Sequence, residues 1–206
     1  MHLAILIPAA GTSTRMRGAD KCFEDVSGIP CLTAIIQRAL KVTDDVIVTV
    51  SAADHPRISL TDGATLVVCD NAHEGMSASL KAGVASLPSH VTAVMILPAD
   101  MPAINASDMS MMWAVFQASR IKILQAATAD GTAGHPVIFD RSLFTRFDGL
   151  SGDRGAASIV SDNAKNHGLI PLEGNRATLD LDTPEAWETW RASRRLSGLA
   201  ALFGNQ

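Results

Sequence analysis

The chain has 206 residues, of which 47% are hydrophobic, so it can bury a substantial core and is not disordered. Its 17 basic and 21 acidic side chains leave a net charge of −4. This balance excludes the broad basic surface with which proteins bind nucleic acid or anionic membranes. Any phosphate that the protein binds must therefore be held by a local site.

The cysteines and the first residues predict a cytoplasmic protein. Cys22, Cys31 and Cys69 form no CxxC pair, and their odd number argues against a disulfide framework and a structural zinc site. The apolar run at residues 3–10 is short, contains Pro8 and follows no basic residue. It therefore predicts neither a secretory signal nor a membrane span.

Short aliphatic runs alternate with segments of helical periodicity in the first 130 residues, which is typical of βαβ units. The predicted strands are residues 3–8, 46–50, 65–69, 93–97 and 122–125. One helix is predicted to begin at Pro30, a second to cover residues 76–86 and a third to cover about residues 105–118. A methionine-rich apolar stripe on the third helix is interpreted as core. The pattern predicts an α/β fold with a mostly parallel, twisted sheet flanked by helices.

Frequent glycines after residue 130 predict a small hairpin subregion. Further strands are predicted at residues 137–139, 168–172 and 179–181. Thr183 and Pro184 are typical of a helix N-cap and first turn, and they predict a last helix whose Trp187 and Trp190 pack onto the domain. We expect one domain over residues 1–206, with a core at 3–194 and a tail that frays from about residue 197.

The first predicted strand runs into a loop of small residues with two cations at its far end, AAGTSTRMRGADK at residues 9–21. Small residues let backbone N–H groups approach phosphate oxygens, and cations neutralise their charge. The loop matches neither the Walker pattern nor GxGxxG. It also fits an ordinary turn with surface cations. The candidate residues are Ala9, Ala10, Gly11, Thr12, Ser13, Arg15 and Lys21.

Carboxylates follow two other predicted strands. Asp100 ends the strand in LPADMP at residues 97–102, and Asp180 and Asp182 stand two apart in DLDTP at residues 180–184. Ligands of open α/β sheets bind beyond the carboxyl ends of the strands, where Mg²⁺ is held by one or two carboxylates and the phosphates of its substrate. Alternatively, Asp100 is a turn residue and Asp182 helps to cap the last helix.

Six motifs together carry a resemblance to a known family. In chain order they are AAGxSxRM…K at 9–21, GMSASLKAG at 75–83, LPADMP at 97–102, GHPVIF at 134–139, GDRGA at 152–156 and DLDTPE at 180–185. The chain resembles the MobA-like NTP transferases over about residues 3–190, and it is most similar to the branch that contains the molybdenum cofactor cytidylyltransferases.

The resemblance implies a Rossmann-like nucleotidyltransferase fold that joins an NTP to a phosphorylated acceptor, with Mg²⁺ and release of pyrophosphate. It implies that Arg15 holds the β- and γ-phosphates and that Lys21 bridges to the α-phosphate. Asp100 would bind Mg²⁺, with Asp182, or with less support Asp180, completing the metal site.

The resemblance also bears on substrate choice. The loop begins Ala-Ala-Gly, as in cytidylyl-transferring members, where guanylyl-transferring members tend to have Ala-Gly-Gly. A methyl group at Ala10 would crowd a purine, so CTP is favoured. Ser77 and Ser79 lie in a segment similar to the family's base and ribose wall, although both also fit hydrogen bonding at a helix N-terminus.

The acceptor contacts would come from His135, Asp153 and Arg154. Ala157 stands where the family usually has Arg, and Arg154 could take over that contact. His135 could touch the phosphate or the ring system of the acceptor, or it could be a turn histidine bonded to backbone. One extra residue separates Met16 from Lys21, relative to the shortest family pattern.

The expected function is transfer from CTP to the phosphate of a molybdenum-bound pterin, in molybdenum cofactor maturation, with a molybdoenzyme or its maturation factor as a candidate partner. One alternative is a guanylyltransferase or sugar-phosphate nucleotidyltransferase on the same scaffold. Another is a non-catalytic chaperone that carries the finished cofactor. A complete set of Arg15, Lys21, Asp100 and Asp182 favours catalysis.

Overall fold

The computed structural model describes the backbone of residues 1–203 and the side chains of residues 1–196. Nine strands occur in this part of the chain. They are β1 (Leu3–Pro8), β2 (Asp25–Val26), β3 (Ile29–Pro30), β4 (Val46–Val50), β5 (Thr65–Val68), β6 (Ala93–Ile96), β7 (Ile123–Ala127), β8 (Ala133–Asp140) and β9 (His167–Pro171). The pair β2 and β3 forms a separate small antiparallel ribbon.

The other seven strands form one sheet in the order β5, β4, β1, β6, β8, β7, β9. Strand β1 pairs in parallel with β4 and β6, β4 with β5, and β7 with β9. The predicted hairpin is formed by β7 and β8, and β8 also runs antiparallel to β6. The predicted α/β fold with a mostly parallel sheet is confirmed, and the hairpin is part of that sheet.

In residues 1–203, five α-helices connect or flank these strands. They are α1 (Cys31–Ala39), α2 (Met76–Ala85), α3 (Ala106–Ala118), α4 (Ala157–Asp162) and α5 (Pro184–Phe203). A capping box starts α3, where the side chains of Asn105 and Asp108 each accept a bond from the other's backbone N–H. The Thr183 hydroxyl accepts from the Ala186 N–H at 3.2 Å, which confirms the predicted cap of α5.

Side chains of β1 alternate between two apolar layers, one on each face of the sheet. Ile5 and Ile7 pack with α1, α3 and α5, whereas Leu6 packs on the other face with α2. The methionine-rich stripe of α3 is buried as predicted. Trp187 is fully buried and its ring lies 5.6 Å from that of Trp190 in an edge-to-face arrangement. Helices therefore cover both faces and leave the strand ends free for a site.

The predicted strand at residues 179–181 is wrong. The alternation Leu-Asp-Leu imitates a strand, but this segment has no ladder partner. Leu181 is instead held at two points, because its N–H donates to the Asp100 carbonyl at 3.0 Å and its carbonyl accepts from the Trp187 indole at 2.9 Å. The segment is thus fixed against the loop after β6.

The predicted tail begins at about residue 197. The side chains from residue 197 and the backbone from residue 204 lie outside the described residues, so the fraying of this tail stays a prediction. None of the described helices combines the length and the apolar character needed to cross a membrane.

Candidate active site

The carboxyl ends of β1, β4 and β6 lie side by side at one edge of the sheet, because these strands are parallel neighbours. The small-residue loop leaves β1 there, and its first amide, from Ala9, donates to the Thr49 carbonyl of β4 at 2.9 Å. The loop that carries Asp100 follows β6 at the same edge. The topology therefore brings together two segments that are about 80 residues apart in sequence.

A tight turn accommodates the one additional residue that separates Met16 from Lys21, relative to the shortest family pattern. A short 3-10 segment, Thr14–Met16, is followed by Arg17 and Gly18, both with left-handed backbone angles (φ 54° and 96°). Met16 is buried beneath the turn, and the Ala19 N–H closes it on the Met16 carbonyl at 3.1 Å. The chain then returns to the edge of the sheet, where a second 3-10 segment, Lys21–Phe23, begins.

Four of the predicted residues meet in one charged cluster. Lys21 Nζ lies 2.5 Å from Asp100 Oδ2 and 2.8 Å from Asp182 Oδ1. Arg15 contacts the other Asp182 oxygen at 2.5 Å. An ammonium has three N–H donors, so Lys21 retains one for another acceptor. The side chain of Arg15 is 70% exposed and presents further donors to solvent.

The position of Asp182 follows from the fixed segment before it. The hydrogen bond from Leu181 to Asp100 places the two carboxylates on either side of Lys21. Asp180 lies on the exposed side of the segment. The expectation that Asp180 and Asp182 stand together at a strand is therefore wrong, because the segment is not a strand and, of the two, it is Asp182 that contacts Lys21 and Arg15.

The cluster keeps the Asp182 carboxylate ionised. Burial alone would raise the pKa of Asp182, but the hydrogen bond and charge of Lys21 and the charge of Arg15 outweigh it and lower that pKa. Burial likewise opposes the charge of Lys21, yet Asp100 and Asp182 hold the Lys21 pKa above its usual value. At neutral pH Asp182 is therefore a carboxylate and Lys21 a cation.

The residues present fit a divalent cation that is shared with substrate phosphates. The Oδ1 atom of Asp100 is buried and has no hydrogen-bond partner within the described part of the chain, and Asp182 lies across Lys21 from it. The described residues contain no group of three or more His, Cys, Asp or Glu side chains arranged for a metal. Mg²⁺ commonly takes one or two carboxylates and keeps its remaining positions for water and phosphate oxygens.

Cys22 does not act as a nucleophile beside this cluster. Cys22 is adjacent to Lys21, but burial raises the pKa of its thiol to about 12. The thiol stays protonated and buried at neutral pH. The cluster is therefore suited to binding and neutralising negative charge.

The predicted loop residues beyond the cluster divide between a cavity and the core. A cavity of about 180 Å³ is lined by Gly11, Thr12, Ser13, Thr14, Arg15, Lys21 and Asp182. Ala9 and Ala10 are buried at the start of the loop. Ser77 and Ser79 are buried in α2, where neither acts as the N-cap and the Ser77 hydroxyl has no hydrogen-bond partner among the described residues.

The three predicted acceptor residues line a second cavity, of about 250 Å³, between α2, β8 and residues 153–160. Its walls are mainly apolar, and Gln125, His135, Asp153 and Arg154 provide its polar groups. Pro98, just before the Asp100 loop, also lines it. The second cavity is therefore next to the charged cluster.

His135 belongs to strand β8 and not to a turn, and its buried Nδ1 atom has no hydrogen-bond partner among residues 1–196. Burial lowers the pKa of His135, and the charges of Asp100 and Asp180 offset this only in part. The imidazole is thus neutral at pH 7 and can donate one hydrogen bond and accept another.

The GDRGA segment is packed closely against the start of α2. A Cβ atom at Gly75 would lie 2.1 Å from Asp153 Oδ1, and the backbone there has φ of 97°. Only glycine fits this approach, so Gly75 fixes the distance between α2 and the wall that carries Asp153 and Arg154.

Sequence reasoning missed Arg57. It lies in a 3-10 segment, Pro56–Leu60, beyond the end of β4, and it is 2% exposed. Its guanidinium contacts Asp20, Ser13 and two carbonyls of the small-residue loop. The sequence signal that could have identified Arg57 is its position after β4, which ends at the same edge of the sheet as β1.

Comparison with protein families and solved structures gives consistent results. The model of the MobA-like NTP transferase domain matches residues 5–167. No curated protein sequence gives a match. The crystal structure of Rv0371c from Mycobacterium tuberculosis H37Rv is 24% identical with a TM-score of 0.79, over 92% of this chain and 97% of that one.

Two further solved structures show the same fold. A complex of Rv0371c with manganese is 24% identical, with a TM-score of 0.75 and the same coverage. The Rv0371c homolog from Mycobacterium sp. strain JC1 is 25% identical with a TM-score of 0.79, over 94% of this chain and 98% of that one.

Proposed function

Because the chain belongs to the MobA-like NTP transferase family, we propose that it is a cytidylyltransferase that joins CTP to the phosphate of a molybdenum-bound pterin. The family identifies it as a nucleotidyltransferase that acts on an NTP. The proposed reaction forms a pyrophosphate bond between the acceptor and the cytidylyl group and releases pyrophosphate. The free, buried cysteines fit the reducing conditions of the cytoplasm.

The observation that carries the proposal is the contact of Lys21 with both Asp100 and Asp182. It joins a phosphate-binding loop to a carboxylate pair at the edge of the sheet. A binding protein needs donors for the phosphates, whereas the carboxylate pair is suited to a metal ion that shares them. The cluster therefore favours an enzyme over a chaperone.

The proposed mechanism relies on position and charge. An acceptor phosphate oxygen attacks the α-phosphorus in line with the departing pyrophosphate, and it is already an anion, so it needs no general base. Arg15, exposed at the mouth of the first cavity, binds the β- and γ-phosphates. Lys21 donates its remaining N–H to the α-phosphate, where charge is redistributed as the bond breaks.

Asp100 and Asp182 would hold Mg²⁺, with the unpaired Asp100 Oδ1 as the first ligand. Bound there, the ion would neutralise phosphate charge and orient the triphosphate. The solved structure of Rv0371c in complex with manganese shows that a protein of this fold can bind a divalent ion.

The second cavity suits a flat heterocycle. A sugar has hydroxyl groups around its ring, and each needs a hydrogen-bond partner when buried. The walls here are mainly apolar, with polar groups from Gln125, His135, Asp153 and Arg154. Neutral His135 would bond to the ring system of a pterin, and Arg154 is the cation available for the acceptor phosphate.

Asp182→Asn is expected to lower kcat/KM strongly, and Asp180→Asn much less. Of these two residues, Asp182 contacts Lys21 and Arg15, whereas Asp180 is exposed. Both substitutions remove one negative charge from the same segment, so each is the control of the other. Initial rates over a range of Mg²⁺ concentrations measure the effect. An equal loss in both variants would contradict the assignment of Asp182.

Ala10→Gly is expected to shift the nucleotide preference from CTP towards GTP without abolishing the use of CTP. Ala10 is buried at the start of the loop, and on the proposed reading its methyl group would occupy space that a purine needs. One methyl group in a pocket discriminates by about 1–3 kcal/mol, or about 10–200-fold. The measurement is kcat/KM for CTP and GTP in wild type and variant.

The matched control is Ala9→Gly, which removes a methyl group from the adjacent buried residue. Its CTP to GTP ratio should change less than that of Ala10→Gly. A wild-type protein that prefers GTP would overturn the cytidylyl assignment. An unchanged ratio in Ala10→Gly would assign the choice to other residues, with Ser77 and Ser79 as the next candidates.

The experiment that tests the proposed function is mass analysis of the product. The purified protein is incubated with Mg²⁺, CTP and, in separate reactions, molybdenum-loaded pterin, metal-free pterin or a sugar 1-phosphate. The proposal predicts a cytidylylated product with the molybdenum-loaded pterin. A product with the sugar phosphate alone would identify a sugar-phosphate nucleotidyltransferase, and binding without any product would identify a chaperone.

A further inference from the structure

Arg57 lies beneath the small-residue loop, 36 positions after Lys21, with its side chain 3% exposed. Its NH1 atom donates to the Ala9 and Gly11 carbonyls at 2.5 and 2.6 Å. Its NH2 atom donates to the Ser13 hydroxyl at 3.0 Å and to Asp20 Oδ1 at 2.8 Å, and its Nε donates to Asp20 Oδ2 at 2.7 Å.

This arrangement uses the whole fork of the guanidinium. Asp20 accepts two parallel bonds, which is the strongest geometry for an arginine and a carboxylate. Burial opposes the charge of Asp20, but hydrogen bonds from Arg57 and the Cys22 N–H outweigh it and lower the Asp20 pKa. The buried cation is therefore neutralised locally and directs its remaining donors at the loop.

The bonds from Arg57 fix the direction of loop amides. In a planar trans peptide the carbonyl and the following N–H point in opposite directions. Because Arg57 holds the Ala9 and Gly11 carbonyls, the N–H groups of Ala10 and Thr12 point away from it. Ser13 has a left-handed backbone (φ 52°), which is unfavourable for a residue other than glycine, and its hydroxyl is bonded to Arg57 and Asp20.

We propose that Arg57 is a positioning residue for triphosphate binding, which holds the loop from Ala9 to Ser13 in its binding geometry from below without touching the nucleotide. This inference rests on the proposed function, because it assigns the triphosphate to that loop. A lysine cannot replace Arg57, since an ammonium lacks the planar fork that reaches Asp20, Ser13 and two carbonyls together.

The test compares binding of Mg²⁺ and CTP, without acceptor, by titration calorimetry in wild type and Arg57→Ala. We expect the Kd for CTP to rise by about tenfold or more, because the loop N–H groups, once displaced, lose most of their charge-assisted hydrogen bonds to the phosphates. Low-millimolar guanidinium should restore part of the affinity by refilling the buried site, whereas urea, which is neutral and similar in shape, should not. Rescue by urea or by neither compound overturns the proposal.

The matched control is Arg141→Ala. Arg141 also holds two carbonyls, those of Ser89 and Val91 at 2.9 and 2.5 Å, but it does so at the opposite edge of the sheet. Its loss should lower thermal stability and leave Kd unchanged. Equal increases of Kd in Arg57→Ala and Arg141→Ala would show a general loss of stability and would overturn the proposal.

Arg57→Lys keeps a buried cation, and it tests the positioning role of Arg57 if Arg57→Ala does not fold. Hydrogen exchange should be faster at the amides of residues 10–13 in this variant, with no change near residues 89–91. Unchanged exchange in the loop overturns the positioning role. A wild-type protein that binds no NTP would instead overturn the proposed function, while the exchange measurement would still test Arg57.

Discussion

Asp100→Asn is expected to lower kcat/KM by about 100-fold or more while the fold remains intact. The amide keeps the volume of the side chain but removes the charged oxygen that faces Lys21 and the buried, unpaired oxygen available to a cation. Loss of one preorganised electrostatic contact at a reacting centre commonly has an effect of this size. Pyrophosphate release at saturating Mg²⁺ measures activity, and thermal unfolding measures the fold.

Asp45→Asn serves as the control for that variant. Asp45 is also a partly buried carboxylate with a side-chain partner, His90 Nε2 at 2.7 Å, but it lies at the opposite edge of the sheet, just before β4. It should lose a little stability and no activity. An Asp100→Asn protein that keeps more than about half of the wild-type rate would contradict the role of Asp100 in the site.

Lys21→Ala and Arg15→Ala should differ in kinetic character. Lys21 is expected to act mainly on the transition state at the α-phosphate, so its loss should lower kcat by about 100-fold with a smaller change in KM. Arg15 would hold phosphates in the ground state as well, so its loss should affect both kcat and KM. Steady-state kinetics with CTP as the varied substrate separates the two effects.

Arg17→Ala is the control for the Arg15 substitution, because Arg17 is equally exposed and pairs with Glu185 outside the cluster. Arg17→Ala should change neither kcat nor KM appreciably. If Lys21→Ala and Arg15→Ala both raised KM and left kcat unchanged, the division of roles between them would be wrong.

Lys21→Ala also has an expected effect on the pH dependence of the site. Lys21 is the largest favourable influence on the Asp182 carboxylate, so its removal should raise the Asp182 pKa. In wild type the lowered pKa gives stability that is present above the unfolded-state pKa and is lost as the pH falls through the folded-state value. Acid unfolding of the variant should therefore begin at higher pH.

The local signals of the sequence were sufficient for the main-sheet strands and the α-helices of the first half of the chain, but not for the small ribbon of β2 and β3. Aliphatic runs such as that of β1, and helical apolar periodicity such as that of α1, arise from residues close together in the chain. They predicted the elements and the parallel edge at which the loop and Asp100 meet. The same edge accounts for the approach of Lys21 to Asp100, since adjacent parallel strands end together.

What remained unpredicted depends on long-range contacts. The Leu-Asp-Leu alternation at residues 179–181 imitated a strand, but bonds to the Asp100 carbonyl and from the Trp187 indole hold it as a single extended segment. The insertion of β8 between β6 and β7 depends on pairing along the whole strand. Arg57 has no neighbouring motif, and only the folded loop supplies its partners.

The most direct test of the proposed function is pyrophosphate release from each of the four NTPs with Mg²⁺, measured with and without molybdenum-loaded pterin. We expect release with CTP, dependent on the pterin, and weaker release with GTP. A preference for GTP, or release that does not depend on the pterin, would contradict the proposed substrates. No release with any NTP in the presence of the loaded pterin would contradict catalysis itself.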